Sequence, residues 1–374
     1  MKELSKEYLS DKEKFINTFI NAENPATGSA VDSNANVTNK TLAVLEAELF
    51  KQEYIQVNRN RVYSKLLEMF GSEIADNYLR DIKEHLIYIH DETSLRPYCA
   101  SITLYPFLME GTKTLGGTSK APKNLQSFCG SFVNLVYQVA SDFAGAVATV
   151  EFLMYFDYFA QQTYGGDYLL TNPVDIAQEL QGVIYAMNQP AAARGAQSVF
   201  WNISVFDENY FKSLFDEFYF PDGSQPDYES IKKLQGFFMD WFRDERKKEL
   251  LTFPVLTAAY LVDPESRLPV DQTFTEMLAT QMSKGHSFFH YESTSADSLS
   301  SCCRLRNEMA DNTFSYTLGA GGVSTGSFQV ITMNLNRLMQ KSISEGDNYY
   351  APKQTVARIH KYLVAFHSIV QEYI

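Results

Sequence analysis

Two hydrophobic periods alternate through the centre of this chain, and that limits its possible folds more than any other feature. Leu125 to Phe159 reads as two helical segments and contains the Ala/Gly-rich stretch AGAVATVEFLMYF. Ser198 to Phe206 (SVFWNISVF) then alternates in strand fashion after a turn containing Gly195. A helical hairpin follows from Glu208 to Leu250, bridged by FPDGSQPDYES, and Phe253 to Leu261 (FPVLTAAYL) reads as another strand. One element cannot serve both a helical and a strand period, so each switch marks a new element. Helices alternating with buried strands predict an α/β architecture.

The flanks extend the pattern. Residues 1–20 predict a short charged helix, and 41–71 and 73–84 predict further helices from their apolar spacing. Leu86 to Asp91 (LIYIHD) and Val330 to Leu335 (VITMNL) read as strands. Asn21 to Asn39, rich in Asn, Ser, Gly and Ala, reads as an organised loop. The resulting division is an N-terminal helical region, 1–84, and an α/β body, 85–374. Small residues at helical spacing within 125–159 predict close helix packing or a dimer interface.

Composition narrows the function. The 374 residues are 45% hydrophobic and 21% charged, enough apolar material for a large core. A formal net charge of −13 argues against broad attraction to nucleic acid. Small anionic ligands remain compatible, because helix N-termini and a few Arg or Lys suffice for phosphates. No stretch reaches the roughly 18 uninterrupted apolar residues of a membrane span. The charged N-terminus lacks a signal core, so a cytoplasmic protein is the expectation. The four cysteines, Cys99, Cys129, Cys302 and Cys303, have no zinc-ligand spacing, and no metal is expected.

Three segments could carry chemistry. SSCCRLR (Ser300 to Arg306) precedes the glycine-rich LGAGGVSTGS and then VITMNL. A cysteine there can sit on an exposed tip, and Arg304 and Arg306 could lower its pKa or meet phosphate. Two buried, inert cysteines beside a turn explain the same residues, and composition alone favours them. HDETSLRPYC (His90 to Cys99) contains a His-Asp pair that reads better as a turn, with His90 satisfying a backbone carbonyl, than as an acid–base pair. Cys99 is its more informative member, since two converging thiols can deliver two electrons by disulfide formation. NQPAAARGAQ (Asn188 to Gln197) offers amides and Arg194 to a ligand, though an ordinary helix-to-strand connection accounts for it nearly as well. No P-loop or dinucleotide fingerprint occurs.

Seven pieces in register span residues 34 to 337: NANVTNK, IYIHDETSLRPYC, LMEGTKTLGGTSKAPKNLQS, AQQTYGGDYL, RGAQSVFWNISVF, SSCCRLR and TGSFQVITMNLNR. Together they resemble the catalytic subunit of anaerobic (class III) ribonucleoside-triphosphate reductases, a glycyl-radical enzyme family. The resemblance implies a ten-stranded α/β barrel of two half-barrels threaded by a finger loop. Here it would be incomplete, with the first half-barrel, a finger loop near 295–327 and the start of the second half. It implies that Cys303 becomes a transient thiyl radical that takes the 3′-hydrogen of a ribonucleoside triphosphate. It places Cys99 on the first barrel strand as the reducing thiol at the other face of the sugar. Arg304 and Asn188 become candidates for positioning substrate, and Cys302 for an auxiliary thiol, although packing alone would explain Cys302. A deoxynucleoside triphosphate or ATP effector and a homodimer are further implications.

Two departures qualify that picture. Ser327 stands where formate-using members have Asn, which makes a redoxin or other thiol reductant as reasonable as formate. No Gly-Tyr dipeptide occurs and no cysteine follows Cys303, so neither the glycyl-radical loop nor its four-cysteine zinc site is in this sequence. The expectation is therefore a fragment, one piece of a split subunit, or a degenerate relative. For catalysis it would need a complementing C-terminal polypeptide, with the glycyl radical generated on that part by a radical S-adenosylmethionine activase. Two other readings stay open: a non-catalytic nucleotide-binding or dimerisation relative, and a glycyl-radical enzyme acting on another substrate.

Overall fold

The structure, a computed structural model, describes residues 4–21, 42–112, 118–189, 198–296, 298–301, 305–308, 325–346 and 350–372. Four helices come first: α1 (Lys6–Asn21), α2 (Leu42–Leu49), α3 (Lys51–Phe70) and α4 (Ser72–Lys83). Then β1 (Ile87–Ile89) and β2 (Cys99–Ser101) lead to α5 (Tyr105–Glu110), α6 (Leu125–Asp142) and β3 (Val147–Ala148). Helices α7 (Phe152–Tyr164), α8 (Tyr168–Thr171) and α9 (Pro173–Asn188) precede β4 (Trp201–Phe206). Next are α10 (Glu208–Phe215), α11 (Tyr228–Glu245), β5 (Val255–Leu261), α12 (Gln272–Ser283) and β6 (Phe289–Ser293). The remainder is β7 (Ser298–Ser301), β8 (Leu305–Glu308), β9 (Thr325–Ser327), β10 (Ile331–Met333), α13 (Leu335–Ser344) and α14 (Tyr350–Gln371).

Six strands form one sheet in the order β6-β5-β4-β3-β2-β9. From β2 to β6 every neighbouring pair is parallel, and β9 joins β2 antiparallel. Parallel neighbours need a crossover, and helices supply each one in turn. This is the expected first half-barrel, with one antiparallel strand beginning a second half. Acidic and amide side chains start the crossover helices: Asn124, Asp207, Asp227 and Asp271 each accept from a backbone N–H of the first turn. Those bonds satisfy donors that a helix start leaves open.

Two expected elements differ. Leu125 to Phe159 is not two helices in succession, because Val147–Ala148 forms β3 between α6 and α7. The Ala/Gly run therefore serves a strand and its approach, where small side chains let neighbouring chain come close. VITMNL does form a strand, but β10 pairs antiparallel with β1 in a separate two-stranded sheet. The antiparallel member of the large sheet is Thr325–Ser327, a few residues earlier. β7 and β8 pair antiparallel in a two-stranded sheet of their own. No described helix is long and apolar enough to cross a membrane.

Strand alternation gives the large sheet two different faces. Val147, Trp201, Ile203, Val205, Leu256 and Ala258 point into the helical layer and form the main core. Trp201 is fully buried there, its ring centroid 5.0 Å from that of Phe152 and 5.5 Å from that of Phe132. A second core joins α3, α4 and β1 to α14 through Val62, Leu66, Tyr78, Tyr362 and Phe366. Buried Asp81 ties it together: Arg358 donates two hydrogen bonds to its carboxylate and Tyr362 a third at 2.9 Å.

Candidate functional site

The opposite face of the sheet is polar. Register places Cys99, Ser101, Ala146, Ala148, Asn202, Ser204, Thr257 and Ser327 on it, since side-by-side partners face the same way and alternate residues repeat the face. Buried polar groups in proteins are normally hydrogen-bonded, so exceptions need a reason. Four exceptions share this face. Ser101 Oγ, Asn202 Oδ1, Ser204 Oγ and Ser327 Oγ are buried with no hydrogen-bond partner among the described residues.

Cys99 sits at the start of β2 and is only 2% exposed. Its Sγ accepts from the Ala146 N–H at 3.3 Å, and Tyr98 and Phe200 pack around the Cys99–Ala146 pair. Two glycines admit the strand. A Cβ on Gly145 would lie 2.7 Å from Cys99 Sγ and 2.7 Å from Tyr98 O, and one on Gly326 would lie 2.7 Å from Cys99 O. Ser327 is the register partner of Cys99. Phe328, the next residue, stacks on His367 of α14 with ring centroids 3.8 Å apart, which fixes the end of β9.

The other sequence candidates fall in different places. The Asn188 amide is committed to backbone: it donates to Ile184 O and Phe253 O and accepts from Phe253 N–H at 3.0 Å. It thereby joins the end of α9 to the approach of β5. Cys302, Cys303 and Arg304 lie outside the described residues, as do 190–197 with Arg194. His90 and Asp91 do form a turn, with Asp91 at φ 49°. The His90 ring, however, meets the Thr332 hydroxyl at 2.8 Å rather than a backbone carbonyl, and stacks edge-on with Tyr88 and Tyr98. Sequence reasoning passed over Ser101, Asn202, Ser204 and Thr257. Their signal was available, since polar residues at alternate positions of CAS and WNISV repeat the period that marks one face of a strand.

Beyond the carboxyl ends of β2 and β3 lies buried Glu151. It accepts from Leu104 N–H at 2.7 Å and from the Thr103 hydroxyl, holding the start of α5. Burial pushes its carboxyl up to about 8, against the opposing pull of those two bonds. A protonated acid there at neutral pH is a structural cap, remote in sequence from the thiol.

Comparison with known proteins agrees with this geometry. The family model described as anaerobic ribonucleoside-triphosphate reductase matches residues 46–374. The crystal structure of the anaerobic ribonucleotide reductase from Thermotoga maritima in complex with dATP and CTP is similar at 25% identity and a TM-score of 0.77. The match covers 100% of this chain and 63% of that one. A structure described as an anaerobic ribonucleotide reductase is 28% identical with a TM-score of 0.76, over 98% of this chain and 56% of that one. A third, the Thermotoga maritima enzyme with dATP bound in the specificity site, is 26% identical with a TM-score of 0.74. It is covered to 64%, and this chain to 100%. The chain thus spans less than two thirds of the length of these structures. No curated protein matches it.

Proposed function

The chain belongs to the anaerobic ribonucleoside-triphosphate reductase family, and on that premise we propose that it carries the substrate-facing half of a ribonucleoside-triphosphate reductase. The observation that carries the reading is the placement of Cys99. It is a buried thiol on the polar inner face of a half-barrel, opposite Ser327 and on the same face as hydroxyl oxygens and one amide oxygen without partners.

In this reading Cys303, as a thiyl radical, takes the 3′-hydrogen of the ribose. The 2′ carbon–oxygen bond then breaks, and the hydroxyl leaves as water with a proton. Cys99 delivers a hydrogen atom from the opposite face, and a second reducing equivalent of thiol or formate class completes the two-electron reduction. Return of the 3′-hydrogen regenerates the Cys303 thiyl. A glycyl radical, formed by a radical S-adenosylmethionine activase on polypeptide other than these 374 residues, supplies the initial oxidising equivalent. The close packing of Tyr98 and Phe200 around Cys99 and Ala146 keeps bulk water from the thiol.

The Thermotoga maritima structures with dATP and CTP support nucleotide substrates and a deoxynucleotide effector for this chain, and its action in a homodimer belongs to the same proposal. The test is an activated, oxygen-free preparation completed with the radical-bearing polypeptide. Cys99→Ala and Cys303→Ala should each abolish formation of deoxyribonucleotide while leaving the thermal unfolding profile in place. Full turnover by either variant refutes the assigned roles.

A further inference from the structure

The α10–α11 hairpin, on the outer layer of the fold, concentrates charge and aromatic surface that the thiol chemistry leaves unused. Residues 207–229 hold seven carboxylates and a single lysine, Lys212. Between α10 and the start of α11 lies a cleft of about 280 Å³. Phe211, Phe215 and Tyr228 form its apolar side, with the Phe211 ring centroid 4.9 Å from that of Phe215 and 5.4 Å from that of Tyr228. Glu208, Asp216, Asp227 and Glu229 also line it.

Local structure accounts for some of these charges and not for others. Lys212 pairs with Glu208 at 2.6 Å, one turn along α10. Asp227 caps α11 by accepting from the Glu229 N–H at 3.0 Å, and both acids suit the positive end of that helix. Asp216 is different. It ends α10, where the helix dipole is negative and a carboxylate is disfavoured. Among the described residues Asp216, Asp227 and Glu229 have no salt-bridge partner, although Lys212 feels the charge of Asp216 and Glu229. The negative field reaches the cleft wall: burial first, and then the carboxylates of Asp271, Asp207, Glu208 and Glu229, push the Tyr228 phenol up. Gln225 donates to Asp216 O at 2.9 Å and holds the loop beside the cleft in place.

Among the described residues no three acids converge closely enough to hold a metal ion. Carboxylates spread around an aromatic cleft instead suit an organic cation with an apolar body. A guanidinium fits best, because it is planar and weakly hydrated, lies against aromatic rings and meets carboxylates two at a time, while its stem buries apolar surface. The volume is at the small end of ligand pockets, about 300–1,000 Å³, which leaves room for one side chain. Outside the cleft the same surface continues through exposed Glu217 and Tyr219, so its complement is larger than a free amine. We propose that the α10–α11 cleft docks a partner polypeptide, which inserts one arginine between the Phe211–Tyr228 wall and the carboxylates of Asp216, Asp227 and Glu229. This contact goes beyond the reductase reading and does not depend on it.

The experiment is a nuclear magnetic resonance titration of the full chain with the end-blocked peptide Gly-Gly-Arg-Gly-Gly and with its citrulline counterpart, which keeps the shape and lacks the charge. The arginine peptide should shift the amide signals of residues 208–229 saturably and bind about tenfold more tightly than the citrulline peptide. Asp216→Asn should weaken it about threefold, whereas Glu13→Gln, an equal loss of charge on α1, should leave it unchanged. Lys212→Met releases Glu208 to the cleft and should tighten binding about threefold, a gain that misfolding cannot imitate. Equal binding of the two peptides, or equal weakening by Asp216→Asn and Glu13→Gln, overturns the site. Spermidine that saturates the same amides more tightly than the arginine peptide overturns the polypeptide partner in favour of a free polyamine.

Discussion

Ser327 stands directly across the antiparallel β2–β9 pair from Cys99, so a buried thiol and a buried hydroxyl without a partner face the same interior. Side chains directly opposite in such a pair have Cβ atoms roughly 5 Å apart, close enough for both to touch one small ligand. The resemblance puts an Asn near this position in formate-using members. A serine hydroxyl is shorter and lacks the amide's paired donor and acceptor groups. Turnover should therefore be driven by a dithiol, with no carbon dioxide released from labelled formate. Labelled carbon dioxide in proportion to deoxyribonucleotide formed would contradict this.

The thiol is held by close backbone approach as well as by packing. Gly145→Ala places a methyl carbon 2.7 Å from both Cys99 Sγ and Tyr98 O, and the carbonyl belongs to a paired segment that cannot swing aside. Overpacking of this kind costs about 1–3 kcal/mol. The variant should show a lowered denaturation midpoint and faster reaction of Cys99 with an aromatic disulfide reagent. An unchanged midpoint together with an unchanged rate would show that the approach is not tight.

The second core depends on one carboxylate. Asp81 is fully buried and holds Arg358 and Tyr362 against α4. Removing one partner of a buried pair leaves the other charge uncompensated, at about 3–5 kcal/mol. Asp81→Ala should lose that much in urea unfolding, and the protection of α14 amides from hydrogen exchange should fall with it. Retained protection would place the strength of this core in its apolar contacts alone.

Glu151 gives a pH signature. Its folded-state pKa, about 8, lies above the ordinary 4.5, so across that interval the folded chain keeps a proton that the unfolded chain releases. Its contribution is therefore complete below about pH 4.5 and drains away as pH rises through about 8. Glu151→Gln keeps an uncharged acceptor for Leu104 and Thr103 and removes the titration. Its urea midpoint should gain on wild type as pH rises from about 5 to about 8. A constant gap between the two proteins across that range would contradict the assignment.

Much of the fold was legible because the relevant signals are local. The 3.6 period of LAVLEAELF and VYSKLLEMF, the alternation of WNISVF and the apolar run of VLTAAYL each report burial of their own element. β3 was not legible: with two residues it has no period of its own, and its Ala/Gly setting borrows the look of the helices around it. β9 was missed for a similar reason, since Thr-Gly-Ser carries turn chemistry and becomes a strand only through its pairing with β2. In the site, motif resemblance pointed to Cys99 and Ser327, and alternation along β2 puts Ser101 on the face of Cys99. Asn202 required knowledge of the sheet register, since only strand order shows that the face it shares is that of Cys99. Asn188 shows the converse, a polar residue whose hydrogen bonds are spent on the backbone of a neighbouring segment.

The most direct measurement is a crystal structure of the anaerobic protein with CTP bound, read for the positions of two sulfur atoms relative to the ribose. The account predicts Cys99 Sγ and Cys303 Sγ on opposite faces of one sugar ring, each in van der Waals contact with it. A ribose bound elsewhere, or one in contact with Cys99 while Cys303 stays beyond reach, would contradict it.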